Sequence, residues 1–191
     1  MPSALRIKEL RNLSDNVLLN NGTLTNNVVF PAHHIIKIQQ NHVDVPISLP
    51  SVSAYSQAEV TNMRTDFAVG SGNKVLIMLS LSVCSSYVDS VRGVGSILLA
   101  DGSAIGIGSA TGLGNNRQMG AANSFGVGGT QGRINQQFLY TPGTTNSVQY
   151  SVKIDNKNST SETLYVNRSA VSGHNHYYHD TSTITLMEIV G

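Results

Sequence analysis

Charge is scarce in this 191-residue chain. Asp, Glu, Lys and Arg make up 12% of it and the formal net charge is +1, against about a quarter charged residues in an ordinary soluble protein. A chain so nearly neutral draws no polyanion. It also contains no run of Lys or Arg to follow a phosphate backbone, which argues against nucleic-acid binding. Cysteine is almost missing. Cys84 stands alone in "LSLSVCSSYV", so no intrachain disulfide can form. Its apolar surroundings predict a buried structural thiol, and no base can be assigned to make it a nucleophile. No apolar run approaches the roughly 18 residues of a transmembrane helix. The opening "MPSALRIKEL" lacks the apolar core of a signal peptide. Synthesis in a cytoplasm, without export by the general secretory route, is the expectation.

Polarity comes instead from Ser, Thr, Asn, Gln and Gly. A hydroxyl- and amide-rich surface can press against copies of itself without stripping water from ions. That favours an oligomeric or assembly protein over an uncharged monomer.

Residues 1–27 differ from the rest. In "ALRIKELRNLSDNVLL" the apolar residues Leu5, Ile7, Leu10, Leu13, Val17 and Leu18 recur at three- and four-residue spacings between charges. This predicts either a short amphipathic helix or an extended arm with apolar anchors. "NNGTLTNN" closes the segment with turn chemistry.

From Val28 onward the pattern is β. "NKVLIMLSLSVC" is the strongest strand, with Leu79, Leu81 and Val83 alternating with serines, and it is expected to have one buried and one wet face. "GSILLADGSAIGIG" reads as a hairpin turning on Asp101-Gly102 in a type I′ turn. In "SVQYSVKIDN", Val148, Tyr150, Val152 and Ile154 point one way. The last strand, "TSTITLMEIV", carries apolar groups on both faces, as a central or interface strand would. Glycine clusters over 102–132, a long irregular loop or a run of bulged strands. The whole predicts an all-β, antiparallel β-sandwich, jelly-roll-like, of roughly eight to ten strands spanning 28–191 behind an N-terminal arm or helix at 1–27.

Motifs with possible chemistry are few. "GHNHYYHD" gathers His174, Asn175, His176, Tyr177, Tyr178 and His179. His, Tyr and Asn are the vocabulary of recognition surfaces, and these residues are the receptor-contact candidates. A metal is the alternative: on an extended segment His174 and His176 share a face, with His179 and Asp180 in reach to complete a site. His33 and His34, adjacent in sequence, would point to opposite faces of a strand and are expected to be structural. Gly106, Gly108 and Gly112 in "GIGSATG" have no following helix and no Walker lysine, so close backbone approach or bulging explains them better than phosphate binding. Carboxylates are scattered without a local pair, and no G-x-S-x-G elbow is present, so no catalytic residue, no cofactor and no enzymatic activity are expected. The N-x-[ST] sequons at Asn12, Asn21, Asn158 and Asn167 are those a Ser/Thr/Asn-rich chain produces by chance.

Several phrases together resemble a family of small phage and marine-virus fibre-type proteins. They are "NGTLTNNVVFPAHHIIKI", "KVLIMLSLSV", and "VQYSVKI", "ETLYVNRS" and "STITLMEIVG" towards the end. That family opens its β-rich domain with a "GTLT…FPAGHI" phrase and ends on "STITAMEI.G". This chain departs from it in having His33 where the family has Gly, and in the His- and Tyr-rich 173–180 segment. The resemblance implies a virion component assembled in the host cytoplasm, homotrimeric, in fibres, spikes or capsid decorations. Attachment to other virion proteins would fall to the N-terminal arm, with Leu5, Ile7, Leu10 and Leu13 as candidates. Host-surface glycan or protein would be met by distal loops. A tail fibre is the first expectation, a capsid decoration or cement protein the alternative, and a small polysaccharide depolymerase the third. Neither nucleic-acid binding nor membrane insertion is expected.

Overall fold

The computed structural model describes residues 9–11, 17–20, 23–24, 32–86, 92–107, 121–125, 131–156, 159–170 and 179–191. In chain order, β1 (Glu9–Arg11), β2 (Val17–Asn20) and β3 (Thr23–Leu24) make a small antiparallel meander, β1 pairing with β2 and β2 with β3. The body follows: β4 (Ile35–Val43), β5 (Ile47–Val52), β6 (Gln57–Glu59), a 3₁₀ turn at Thr61–Met63, β7 (Thr65–Phe67), β8 (Lys74–Ser85) and β9 (Arg92–Ala100). It continues with β10 (Ser103–Ile105), β11 (Ala121–Phe125), β12 (Gly132–Tyr140), β13 (Val148–Asn156), β14 (Glu162–Val166) and β15 (Ser182–Ile189).

Register shows that several of these strands are halves of one longer rank. Strand β12 pairs with β8 from Val75 to Val83, so it occupies one edge. On the other edge β15 takes Lys74–Ser80 and β14 takes Val83–Ser85, end to end. Outside them lie β4, paired to β15, and β5, paired to β14. The second sheet repeats the device. There β13 covers β9 from Val94 to Ala100, so β10 and β11 share the opposite edge of β9, while β6 and β7 share the far edge of β13. Each sheet thus has six strands in four ranks. Numbered along the chain, the ranks run 1-8-3-6 in one sheet and 2-7-4-5 in the other. Pairs 1·8, 2·7, 3·6 and 4·5 are those of a long hairpin rolled upon itself, the double Greek key of a jelly roll. The sandwich expectation therefore stands, and eight ranks match the eight to ten strands read from the pattern.

One core lies between the sheets. Val75, Ile77, Leu79, Leu81, Ile184 and Leu186 from the first sheet meet Phe67, Leu98, Tyr150, Val152 and Ile154 from the second. Each fully buried aliphatic or aromatic side chain of this kind contributes about 1.5–3 kcal/mol. Strand β13 buries the four residues its alternation names. The β9–β10 hairpin turns on Asp101 (φ 46°) and Gly102 (φ 78°), both left-handed, as a type I′ turn requires.

The structure narrows one pair of alternatives and corrects one expectation. Within 1–27 the described residues form strands, which rules out a helix at Glu9–Arg11 and Val17–Asn20. The serine face of β8 is also not wet throughout. Ser82 is fully buried: its hydroxyl accepts from Gln131 Nε2 at 2.5 Å and its N–H donates to Ser182 Oγ at 3.0 Å.

Candidate functional site

Alternation turns Val75, Ile77, Leu79 and Leu81 inward, so Leu76, Met78 and Ser80 face out. The same parity holds in the neighbouring strands, and register then lays the outward residues of four strands in straight rows. The first row is Ile38, Met187, Leu76 and Leu139, from β4, β15, β8 and β12 in turn. Next comes Gln40, Thr185, Met78 and Gln137, and then His42, Thr183, Ser80 and Asn135. No Asp, Glu, Lys or Arg stands in these three rows. The aliphatic row is open to solvent at both ends, Ile38 being 61% and Leu139 49% exposed, and Ile35 and Ile36 extend the apolar surface at 44% and 39%. Beside the row lies a shallow depression of about 310 Å³ lined by Gln40, Met78, Asn135, Gln137, Thr183 and Thr185. Gln40 Nε2 donates to Thr185 Oγ1 at 2.9 Å, so part of this amide and hydroxyl band is already ordered.

The charges stand at the margin. Lys74 borders one end. At the other, Arg133 donates to Ser80 Oγ at 2.7 Å and pairs with Asp180 at 2.5 Å. Burial opposes the charge on Asp180, but hydrogen bonds from the Thr181 N–H and the Arg133 guanidinium outweigh it and lower its pKa.

Strand β4 reaches this face because its other side is polar and clamps the sandwich shut. Lys37 Nζ donates to Ala68 O at 3.0 Å and lies 4.3 Å over the Phe67 ring. Asn41 Nδ2 donates to the carbonyls of Asn62 and Arg64, at 3.0 and 3.1 Å. With its polar residues committed inward, β4 presents its isoleucines outward.

The breaks in two adjacent ranks, at 44–46 and 167–181, meet at Asn167. Its Nδ2 donates to Val43 O (2.7 Å) and Val45 O (3.2 Å), and its Oδ1 accepts from Ser182 Oγ at 2.6 Å. Asn167 is fully buried with φ 61°. The sequon there is a structural staple.

The receptor candidates His174, Asn175, His176, Tyr177 and Tyr178 lie outside the described residues, as do Leu5, Ile7 and Leu13. His179 is exposed and forms an isolated antiparallel bridge with Arg168. Asp180, the possible fourth metal ligand, is committed to Arg133. Among the described residues no three His, Cys, Asp or Glu side chains gather as a metal site. Leu10 falls in β1. His33 and His34 sit in an exposed turn, not on a strand. His33 has φ 67° and its N–H donates to Val190 O at 2.8 Å, while His34 O accepts from the Val190 N–H at 3.0 Å. Cys84 is fully buried, and that burial raises its pKa. Gly106 has φ 60°, and a Cβ there would meet the Phe138 ring at 2.7 Å, which is the close approach expected of it; Gly108 and Gly112 lie outside the described residues.

Two buried carboxylates are taken up by neighbouring donors. Glu188 Oε1 accepts from Gly70 N and Asn73 Nδ2, both at 2.6 Å. Glu162 accepts from Ser86 and Thr160 hydroxyls, both at 2.8 Å. Sequence reasoning missed the aliphatic row itself. Its one signal was the two-faced pattern of β15, which supplies Met187; the alignment of Ile38, Leu76 and Leu139 depends on long-range register.

No family model matches the chain, and no curated protein matches it. Among solved structures, one titled as infectious bursal disease virus, Gx strain, overlaps it with a TM-score of 0.42 and 13% identity, over 88% of this chain and 46% of that one. The VP2 subviral particle of infectious bursal disease virus overlaps at a TM-score of 0.38 and 12% identity, over 88% and 45%. This chain thus spans under half the length of either. Likeness at that level carries no argument about this protein, whose jelly-roll order is established by its own strand pairing.

Proposed function

We propose that the chain is a non-enzymatic virion structural protein that works as a homotrimer, self-associating through the outer face of β12, β8, β15 and β4. The observation that carries this is the uncharged face with its open aliphatic row. Burying it against a copy desolvates no ion, and each half-exposed aliphatic side chain removed from water adds free energy at about 25 cal/mol per Å². Exposed, such a face is a liability on a monomer. The virion assignment is supported by the motif resemblance, and jelly rolls recur in viral capsid proteins as well as in lectins.

Within that role a fibre-like appendage, attached by its N-terminal residues and touching host glycan or protein through His174–His179, is the first reading. A capsid decoration is the second, favoured by a broad flat face suited to packing on a shell. Copy number separates them: hundreds per particle fit decoration, one or two dozen fit an appendage. The primary test is the native mass of the purified chain. A trimer is expected, and a stable monomer at micromolar concentration overturns the self-association on which the proposal rests.

A further inference from the structure

The sheet that carries the uncharged face ends in two strands paired on one side. Strand β4 pairs with β15 and β12 pairs with β8, and among the described residues no backbone hydrogen bond reaches the outer edge of either. Each is nine residues long, where about five or six is usual. Every residue of β4 from Ile35 to Gln40 is exposed. Proline, outward charge and shortness are what keep such edges from pairing. Neither strand contains proline. Lys37, the one Lys, Arg, Asp or Glu of β4, already places its ammonium on Ala68 O and the Phe67 ring. Arg133, its counterpart in β12, is held by Ser80 and Asp180. Apolar exposure gathers at the same two edges. Of the six large hydrophobic side chains exposed among the described residues, Ile35, Ile36 and Ile38 lie on β4 and Leu139 on β12.

We propose that β4 of one copy pairs with β12 of the next, so that three copies close into a ring. This rests on the self-association proposed above and names the seam at which the copies join. Strand direction favours it. In the order β4, β15, β8, β12 each strand runs opposite to the one before, so β4 and β12 point in opposite directions. A copy set beside β4 in the same orientation presents its β12 antiparallel, the pairing this sheet already uses. Register then selects one alignment. With Ile38 opposite Leu139 of the second copy, Gln40 meets Gln137 of that copy and His42 meets Asn135. The three outer rows run on unbroken, aliphatic beside aliphatic and amide beside amide. In the same register Asp44, the exposed residue that follows β4, falls beside Arg133 of the second copy and supplies a second carboxylate to that guanidinium. A slip of one residue turns every side chain to the wrong face. A slip of two sets Ile38 against Gln137 or Thr141 and parts Asp44 from Arg133. The two edges differ, so the contact is head-to-tail, and a threefold rotation closes it with no edge of this sheet left open. The uncharged faces then turn together towards the axis.

The test uses the full-length chain carrying Ile38→Cys and Leu139→Cys together. Within one copy these positions lie three strands apart, about 14 Å, too far for a disulfide. The native Cys84 is buried and stays silent. Across the seam opposed Cβ atoms lie about 5 Å apart, and mild oxidation joins them. The expected result is covalent dimers and trimers from the double variant and none from either single variant. In parallel, amide exchange of wild-type peptides covering 35–43 and 132–140 is expected to slow by about tenfold or more between dilute and assembled protein. Pairing protects the outer-edge amides, whereas packing of faces leaves them open to water. If Ile38→Cys alone gives covalent dimers, two β4 strands pair about a twofold axis, and the ring is wrong while self-association stands. If the wild type has the mass of a trimer but neither segment gains protection, the copies meet by their faces and the seam is wrong. A monomeric wild-type protein removes the underlying self-association as well.

Discussion

At the scale of single residues, hydrogen-bond accounting separates two buried polar side chains with opposite predicted behaviour. Asn167 uses its amide on Val43 O, Val45 O and Ser182 Oγ, and its left-handed φ of 61° is one that Asn tolerates better than most residues. Asn167→Ala leaves two carbonyls and a hydroxyl short of a partner, at about 1 kcal/mol or more each. Urea denaturation should show a loss of about 2–4 kcal/mol. The same burial predicts that Asn167 in folded protein stays unmodified if the chain is made in a glycosylating host; mass spectrometry of the peptide carrying residues 167–169 decides this. Tyr150 is the opposite case. It is fully buried, edge-on to Tyr140 at 6.2 Å between ring centres, and among the described residues its hydroxyl has no hydrogen-bond partner. Tyr150→Phe removes that hydroxyl and keeps the ring, so stability should be unchanged or rise by up to about 1 kcal/mol in the same assay. A clear loss would mean that the hydroxyl is satisfied after all, by a buried water. Neither behaviour was legible beforehand. Asn167 reads as a chance sequon because its partners lie 15 to 124 residues away, and Tyr150 reads as one more residue on a strand's inner side.

Elements were far easier to read than the ranks they belong to. Alternation is local, so β8, β13 and β15 stand out in the sequence, and Asp-Gly marks the β9–β10 turn chemically. Which strands lie end to end is a matter of long-range pairing, and the breaks at 44–46, 60–64 and 167–181 leave no periodic signature. The N-terminus shows the same thing: apolar residues spaced three and four apart fit a helix as well as an extended arm, and the antiparallel pairing of Glu9–Arg11 with Val17–Asn20 is a choice that spacing does not record. The β6–β7 break illustrates what holds such a junction. Glu59, in β6, accepts from Arg64 Nε at 2.9 Å and Nη2 at 2.7 Å across the 3₁₀ turn. The hydrogen bonds from Arg64 hold the Glu59 pKa at about 2, below the ordinary value of 4.5. The folded pKa is the lower one, so the pair stabilises fully above about pH 4.5, and that contribution is lost as pH falls through about 2. Arg64 is half-exposed, so solvent screens the pair and the effect is small. Wild type and Glu59→Gln should therefore differ slightly near neutral pH and converge in stability at about pH 2. A difference that persists unchanged down to that pH would show that the carboxylate charge is not what matters.

For the molecule as a whole, the scarcity of charge noted in the sequence becomes a spatial statement. A low count of ions need not leave any one surface free of them. Here Lys74 and the Arg133–Asp180 pair stand at the ends of the outer sheet face, with three uncharged rows between them. An interface built on those rows has little for salt to screen, while the apolar part of its free energy is, if anything, strengthened by salting-out anions. Assembly should therefore weaken by less than about threefold between 0.05 and 1 M NaCl, where an interface held by several ion pairs would lose far more. Sedimentation at the two ionic strengths measures this directly. Leu139→Lys, which sets a charge at the end of the aliphatic row, should both shift the protein towards monomer and make what assembly remains salt-sensitive, since added ions then screen the repulsion between copies. If wild-type oligomers dissociate on adding salt, the copies are held through the marginal charges, and the uncharged rows are not the surface on which they meet.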